Sequence, residues 1–542
     1  MNKKVFKKKT ASVKRANTRN EAGGLAYKRS SKEALAQLAV TGCFNDTYYA
    51  SAGSQLSEVK KHLSNVDLEF VAKLAVYART SAYMKDMPAY LVVSLASHKT
   101  DKSRELLEKV FPQVIDTPKM LRNFIEVAIS GVAGRVWITG QVKRLVNRKL
   151  TLMSDNQLFR GDTGEPSMGR ILRLAHTKPM TSQRRSLHAF MRGELTYTTD
   201  GKFYITRHKG PGKWDEVVVP KKDIPELLMN YMMFKAGDTD RVPDLPFMRL
   251  TDMKLTESQW REIARNTPWM GTRMNLNTFQ RHGVYKDAVS VKAAADKLRN
   301  PELIRKSRCF PYQLMTAYQH ISSSLPSQLA DALQDAMEIA VENVPKIKGH
   351  VVVAPDVSGS MRWNSVTGTR RGSTSKTTCL DVAALFATVV ARRSEEVTIL
   401  PVDTHIHATG RWNPRDSIMT NAAKLAKFGG GGTNLSLVLD HILRNKMRPD
   451  AVIIISDSES WEFGDGTGTA MAQLWNEYKD IKSDAKLINI DIQPYTTKQA
   501  ATVKDVLSVG GFGDQVFDVV TDFLSNSSDP DLWVHRIESI EI

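Results

Sequence analysis

His350-Val-Val-Val-Ala-Pro355-Asp356-Val-Ser358-Gly-Ser360 is the stretch that decides the fold. Its apolar run reads as a buried strand, and its polar residues follow at the carboxyl end of that strand. Two further pieces fall downstream in order. Gly429-Gly-Gly-Gly-Thr433-Asn opens a helical segment, and Ile453-Ile-Ile-Ser-Asp457 ends a second apolar strand. Loops at the carboxyl ends of parallel strands gather residues that are distant in sequence. Asp356, Ser358, Ser360, Thr433 and Asp457 would then form a hard, all-oxygen set. Hydroxyls and carboxylates of this kind suit Mg²⁺, or another divalent cation that takes octahedral oxygen ligands and keeps several waters.

From residue 347 onward strands and helices alternate. Apolar runs at 350–354, 397–402, 451–456 and 486–492 are separated by helical segments such as 379–392. This rhythm predicts a doubly wound parallel sheet covered on both faces, over 347–542. The glycine turn 429–432 is not followed by Lys-Ser/Thr, so it is no Walker A phosphate loop. No Gly-x-Gly-x-x-Gly follows the first strand, and a dinucleotide fold has no support. The ordered triple resembles the metal-ion-dependent adhesion site of a von Willebrand factor A domain.

The 542 residues carry a net charge of +18, unevenly spread. Residues 351–542 hold 19 Lys+Arg against 24 Asp+Glu, whereas residues 1–350 hold 57 against 34, a net +23. A field of that sign draws polyanions, nucleic acid above all. Cys43, Cys309 and Cys379 are odd in number and far apart, which argues against a disulfide framework and for a reducing, cytoplasmic setting. There is no run of 18 apolar residues, so no membrane span is expected. The first residues are basic without an apolar stretch behind them, unlike a secretory signal.

Residues 1–25 read as a basic, disordered tail, with eight Lys/Arg and no acid in the first 20. From 26 to 346 the text is mostly helical. Leu68, Val71, Ala72 and Ala75 follow a helical period behind Asp67, a candidate N-cap, and Leu329, Ala332, Leu333 and Ala336 repeat the pattern. Many short amphipathic helices with brief connections predict a HEAT-like stack of helix pairs. One island near 194–220 breaks the helical text. Leu195-Thr-Tyr-Thr-Thr-Asp200-Gly201-Lys-Phe-Tyr-Ile-Thr reads as a hairpin with Asp-Gly in a type I′ turn, and Glu216-Val-Val-Val as a further strand. Tyr197, Phe203, Tyr204 and Trp214 lie there among Lys202, Arg207, Lys209 and Lys213, a mixture that suits stacking on unpaired bases or simple packing of a hairpin.

A basic helical domain joined to a C-terminal A domain resembles the Ro ribonucleoprotein family, whose helical part is the TROVE module. The likeness rests on Thr47-Tyr-Tyr, on Leu172-Arg-Leu-Ala-His176-Thr-Lys178-Pro179, on Arg308-Cys-Phe-Pro311-Tyr-Gln-Leu and on the adhesion-site triple. It implies a monomeric ring of helical repeats followed by the A domain. It further implies binding of small non-coding RNAs (Y-like RNAs) and of the single-stranded 3′ ends of misfolded RNAs. A 3′-to-5′ exoribonuclease is an implied partner, in RNA quality control, decay or processing. His176 and Lys178 match a His-x-Lys-Pro motif in a region the family associates with RNA, and Arg135, Lys143, Arg144 and Arg148 align with another basic segment.

The reading is a non-catalytic RNA-binding scaffold, not an enzyme. Two alternatives stand beside it. One is a Mg²⁺-dependent nuclease using Asp356 and Asp457, although two-metal chemistry needs more bridging carboxylates than this set offers. The other is a protein-interaction adaptor working through the A domain. His405-Ile-His407 shows no third metal ligand nearby and reads as a pair of loop histidines.

Overall fold

The computed structural model describes residues 14–542 apart from Cys43, Tyr48, Arg135, 211–212, 251–252, Arg308, Phe310, Asn343, Asn364, 367–376, 410–412, Pro414, 462–467, Asp514 and 527–528. For 207–210, 213 and 526 it describes the backbone alone. Five parallel strands form the central sheet, in the spatial order Val506–Gly510, Lys486–Asp491, Ala451–Ser456, Ile347–Pro355, Ser394–Ile399. The first strand in sequence therefore lies between the second and the third, and the winding reverses there. Such a switch point opens a crevice at the carboxyl ends of the two central strands. Asp356 and Asp457 directly follow those two ends.

Both faces of the sheet are covered, which is why its strands read as unbroken apolar runs rather than alternating ones. Val352, Ala354, Val452, Ile454 and Leu487 pack in one cluster with Val438, Leu439, Ile442, Met471, Trp475 and Tyr478 from the helices Leu437–Arg444 and Ala470–Ile481. The helices Cys379–Arg393 and Gln515–Asn526 pack on the same strands. Cys379–Arg393 buries 12 of its 15 residues, and its start is fixed by a capping box between Thr378 and Asp381. The strand Val506–Gly510 was not foreseen; it is short and buried at every position.

The compact units divide differently from the expected boundary at 346/347. One unit holds the described residues up to Met87 together with Arg299–His320 and Asp331–Glu541; the other holds Pro88–Leu298 and Ile321–Ala330. The helices Ser31–Thr41 and Leu68–Thr80 thus belong with the parallel sheet. The expected disordered tail over 1–25 is also corrected for its described part. Thr18–Arg19 pairs antiparallel with Leu25–Lys28, which pairs in turn with Thr497–Lys498. Asn20 is buried and donates from Nδ2 to the Ser460 carbonyl at 2.6 Å, and the Ala22 amide donates to Glu459 Oε2 at 3.1 Å. A Cβ on Gly24 would overlap that Ser460 carbonyl and stand 3.0 Å from Trp461 Cα, so only glycine lets the two backbones meet. Arg29 forms an ion pair with Asp491, both side chains 1% exposed, and Lys498 pairs with Glu33 close by. Residues 1–13 lie outside the described part.

The second unit is mostly helical, and helices two or three apart in sequence stack. Asp101–Val114 packs on Gly140–Leu152, Gly140–Leu152 on Met168–Ala175, and Pro118–Ser130 on both Asp155–Gly161 and Met168–Ala175. This is the two-layer arrangement of helical repeats. Thr100, Thr117, Ser154, Ser167 and Thr181 cap five of these helices by accepting from the third amide, whereas Thr139 before Gly140–Leu152 makes no such bond. The island is a three-stranded antiparallel sheet of Leu195–Tyr197, Phe203–Gly210 and Lys213–Val219. Its first turn differs from the expected type I′. The Gly201 amide bonds to the Thr198 carbonyl and the Thr198 amide to the Lys202 carbonyl, and Gly201 alone has positive φ, +73°. That is a type I turn closed by a left-handed glycine. Phe203 is buried and stacks 4.6 Å from Tyr197, whose hydroxyl bonds to Asp238, so these two aromatics serve packing. Trp214 is 66% exposed. Cys309 and Cys379 are buried free thiols. Among the described residues no helix is long and apolar enough to cross a membrane.

Candidate functional site

The carboxyl ends of Ile347–Pro355 and Ala451–Ser456 are held in register, with the Asp356 amide donating to the Ile455 carbonyl at 2.9 Å. From there the chain turns on Asp356 itself. One carboxylate oxygen accepts the Ser358 amide at 2.9 Å and the other accepts the Ser456 hydroxyl. The Ser358 and Ser360 hydroxyls lie 3.2 Å apart. The glycine turn is zipped onto this loop. Gly430 donates to the Val357 carbonyl and Gly359 donates to the Gly431 carbonyl, both at 2.8 Å. Thr433 is placed by its carbonyl, which accepts from the Trp461 amide and the Ser460 hydroxyl, both at 3.2 Å. Asp356, Ser358, Ser360, Thr433 and Asp457 lie on loops joined by these bonds, and all five are buried.

Burial pushes the carboxyls of Asp356 and Asp457 above their usual range, and the charge of Asp457 adds to the effect on Asp356. Burial likewise raises Glu459, which sits beside Asp457. Two buried carboxylates beside serine hydroxyls, with no side-chain cation among their hydrogen-bond partners in the described residues, are the chemistry that a small hard cation stabilises. The set fits Mg²⁺ on that ground. Arg29 pairs with Asp491, one strand over.

Sequence reasoning missed a second constellation. The short turn Val402–Ile406 brings Asp403 beside both histidines: His405 Nδ1 lies 3.3 Å and His407 Nε2 3.0 Å from Asp403 Oδ1. The expectation that His405-Ile-His407 lacks a third ligand is thereby corrected. The signal was present as Asp-x-His-x-His, with the acid on the near side of the pair.

The expected RNA-contacting residues lie in the helical unit, with Arg135 outside the described residues. Lys143, Arg144 and Arg148 ride on the helix Gly140–Leu152, with Arg144 and Arg148 exposed and Lys143 half-buried. His176 ends the neighbouring helix in a left-handed conformation, φ +50°, and it and Lys178 are both exposed. Asn147 ties the two segments together. Its Nδ2 donates to the Ala175 carbonyl at 2.8 Å and its Oδ1 accepts from the Thr177 hydroxyl at 2.6 Å. Lys143 and Arg144 lie one turn before Asn147, so they share its face. A cavity of about 780 Å³ is lined by Lys178, Arg160, Arg184 and Arg241, but Asp155 pairs with Arg184 and Asp244 with Arg160.

The sequence model of the family described as the Ro60 vWA domain matches residues 350–524. The RNA-binding protein RO60 of Deinococcus radiodurans is 23% identical over 480 residues, spanning 82% of this chain and 83% of that protein. The chain is similar to Ro proteins over most of its length, and its region 350–524 matches the Ro60 vWA model. The crystal structure of the Deinococcus radiodurans RO (RSR) protein shares the fold, with a TM-score of 0.60 at 19% identity over 91% of this chain and 99% of that one. The region matched by that model includes residues 356, 358, 360, 433 and 457.

Proposed function

We propose that this Ro-like chain is a non-catalytic RNA-binding scaffold. The observation that carries the reading is the tether between Gly140–Leu152 and the His176–Lys178 turn, which sets Arg144, Arg148, His176 and Lys178 on neighbouring exposed positions. Lysine and arginine there supply phosphate contacts, and histidine can bond a phosphate or stack on a base. The +23 charge of residues 1–350 and the RNA-binding description of the Deinococcus relative support the same reading. The RNA class we propose is a small structured or misfolded non-coding RNA, Y-like in its fold, with a free single-stranded 3′ end, bound in the cytoplasm.

For the A domain we propose Mg²⁺ held by Ser358, Ser360 and Thr433 with Asp356 and Asp457. Bound there, the ion would supply a positive centre with a position open to the acidic side chain of a partner protein, a 3′-to-5′ exoribonuclease being the partner class that suits RNA decay. The residues themselves position the ion. The two carboxylates supply charge and the three hydroxyls supply neutral oxygens, which leaves too few bridging carboxylates for a two-metal nuclease.

Labelled structured RNA with a 3′ single strand should bind more tightly than a blunt duplex of equal length. The Arg144→Ala/Arg148→Ala/Lys178→Ala variant should bind more weakly, and its log–log salt slope should be shallower by roughly 2 to 3. An unchanged affinity and slope in that variant would remove this surface from the RNA site.

A further inference from the structure

The turn Val402–Ile406 converges two imidazoles on one carboxylate oxygen. Asp403 is 3% exposed, and its position is fixed from both sides: Oδ1 accepts the His405 amide at 3.1 Å, and Oδ2 accepts the Gly431 amide at 3.2 Å. His407 is 15% exposed, and its ring sits 5.5 Å from that of Phe428, which limits its rotation. His405 is 64% exposed and lies 4.1 Å, centroid to centroid, from His407. Among the described residues His407 Nε2 makes no hydrogen bond, although Asp403 Oδ1 is 3.0 Å away. Three nitrogens, two from rings and one from an amide, crowd a single oxygen.

We infer that Asp403, His405 and His407 form a second metal site, distinct in chemistry from the all-oxygen set, for a Zn²⁺-class divalent cation. In a tetrahedron with metal–ligand bonds of about 2.0–2.1 Å, ligand atoms stand about 3.3 Å apart. The two pairs here are 3.0 and 3.3 Å apart, and all three donors lie within 4.8 Å of one another. The remaining gap closes by rotation of His405, the surface member. Imidazole nitrogen with one carboxylate selects borderline d-block ions over Mg²⁺. Three protein ligands leave the fourth position open towards the solvent side where His405 lies. The ion would also act on the neighbouring loop. Asp403 bonds to Gly431 through its carboxylate and to the Asn434 amide through its carbonyl, at 2.9 Å, so it brackets Thr433 on both sides. Occupancy would therefore stiffen the segment that supplies the hydroxyl of the Mg²⁺ set.

The test uses untagged, chelator-treated full-length protein titrated with Co²⁺, whose tetrahedral complexes absorb visibly, followed by displacement with Zn²⁺. One Co²⁺ per chain is expected, displaced by Zn²⁺, indifferent to millimolar Mg²⁺ and retained in Asp356→Ala. It should be lost in His405→Ala/His407→Ala and weakened at least about tenfold, or about 1.4 kcal/mol, in the surface variant His405→Ala, whose melting temperature should not move. Uptake unchanged in His405→Ala, uptake lost in Asp356→Ala, displacement by Mg²⁺, or no uptake at micromolar Co²⁺ would each overturn the assignment.

Discussion

Replacing Gly429 by alanine should cripple the proposed Mg²⁺ site without touching a proposed ligand. Gly429 has φ +80°, a conformation that costs an L-residue about 1–2 kcal/mol. The added methyl would also overlap the Val357 carbonyl oxygen, and it would stand 2.5 Å from Val357 Cγ2 and 2.7 Å from Val357 Cβ. Carbon atoms settle at about 3.5–4.0 Å, so the two loops must separate by about 1 Å. Val357 lies between Asp356 and Ser358, and Gly429 begins the turn that carries Thr433. Mg²⁺ requires near-ideal octahedral geometry, and a displacement of that size exceeds the about 0.5 Å that a built site tolerates. The expected result in calorimetric titration of purified protein is a Mg²⁺ affinity at least about tenfold weaker, equivalent to about 1.4 kcal/mol. Gly131→Ala is the control. Its φ of +74° carries the same backbone cost, but the added methyl meets nothing within 4 Å. It should lose about 1 kcal/mol of stability and keep its Mg²⁺ affinity. A Gly429→Ala protein that binds Mg²⁺ like the parent would refute the claim that the glycine turn sets Thr433 against the 356–360 loop.

Three further outcomes follow from the same structure. Asp356→Ala should abolish Mg²⁺ binding and leave RNA binding by residues 88–298 within about twofold, a difference below about 0.5 kcal/mol, as read by parallel titrations; loss of RNA affinity at unchanged melting temperature would contradict separate sites. Arg29→Ala leaves Asp491 buried without its partner and should cost about 3–5 kcal/mol in denaturant unfolding, while Arg29→Met combined with Asp491→Asn should recover much of it; equal losses in both would mean the pair is not what matters. Burial, assisted by Arg184 and Arg192, pushes His188 down to about 4. Above pH 6.5 the folded and unfolded states are both neutral there; below it the unfolded chain takes a proton that the folded one refuses until about pH 4, so stability falls across that window by up to about 3 kcal/mol. The difference between the acid unfolding curves of His188→Leu and the parent should show this loss, and superimposed curves would disprove it.

The adhesion-site set was legible because each piece is local: an apolar strand followed at once by its polar ligand. The helix starts at Leu68 and Cys379 were legible for the same reason, since the caps Asp67 and Thr378 sit one residue before them. What escaped depends on partners far away in the chain. Thr18–Arg19 and Leu25–Lys28 are too short and too polar to announce strands, and they become so only against Thr497–Lys498. Asp403 looked like an ordinary strand-end acid until the turn folded the histidines back onto it. The Asp200-Gly201 pair correctly marked a hairpin, but the dipeptide fits more than one turn, and the pairing of Tyr197 with Phe203 chose the longer loop.

The Arg29–Asp491 pair spans 462 residues, and Leu25–Lys28 finds its strand partner at a similar distance. On a ribosome adding about 5–20 residues per second, Arg29 therefore waits roughly 20 to 90 s for its counter-charge. The whole helical stretch from Pro88 to Leu298 is made in that interval and has the time to fold by itself. Until Asp491 emerges, the amino-terminal strands are an unpaired edge with a guanidinium beside it. Closing so long a loop is slow, but it places the completion of the unit that holds the parallel sheet at the end of synthesis. Any protein that must recognise the finished A domain thereby meets only a chain whose helical stretch Pro88–Leu298 has already been made.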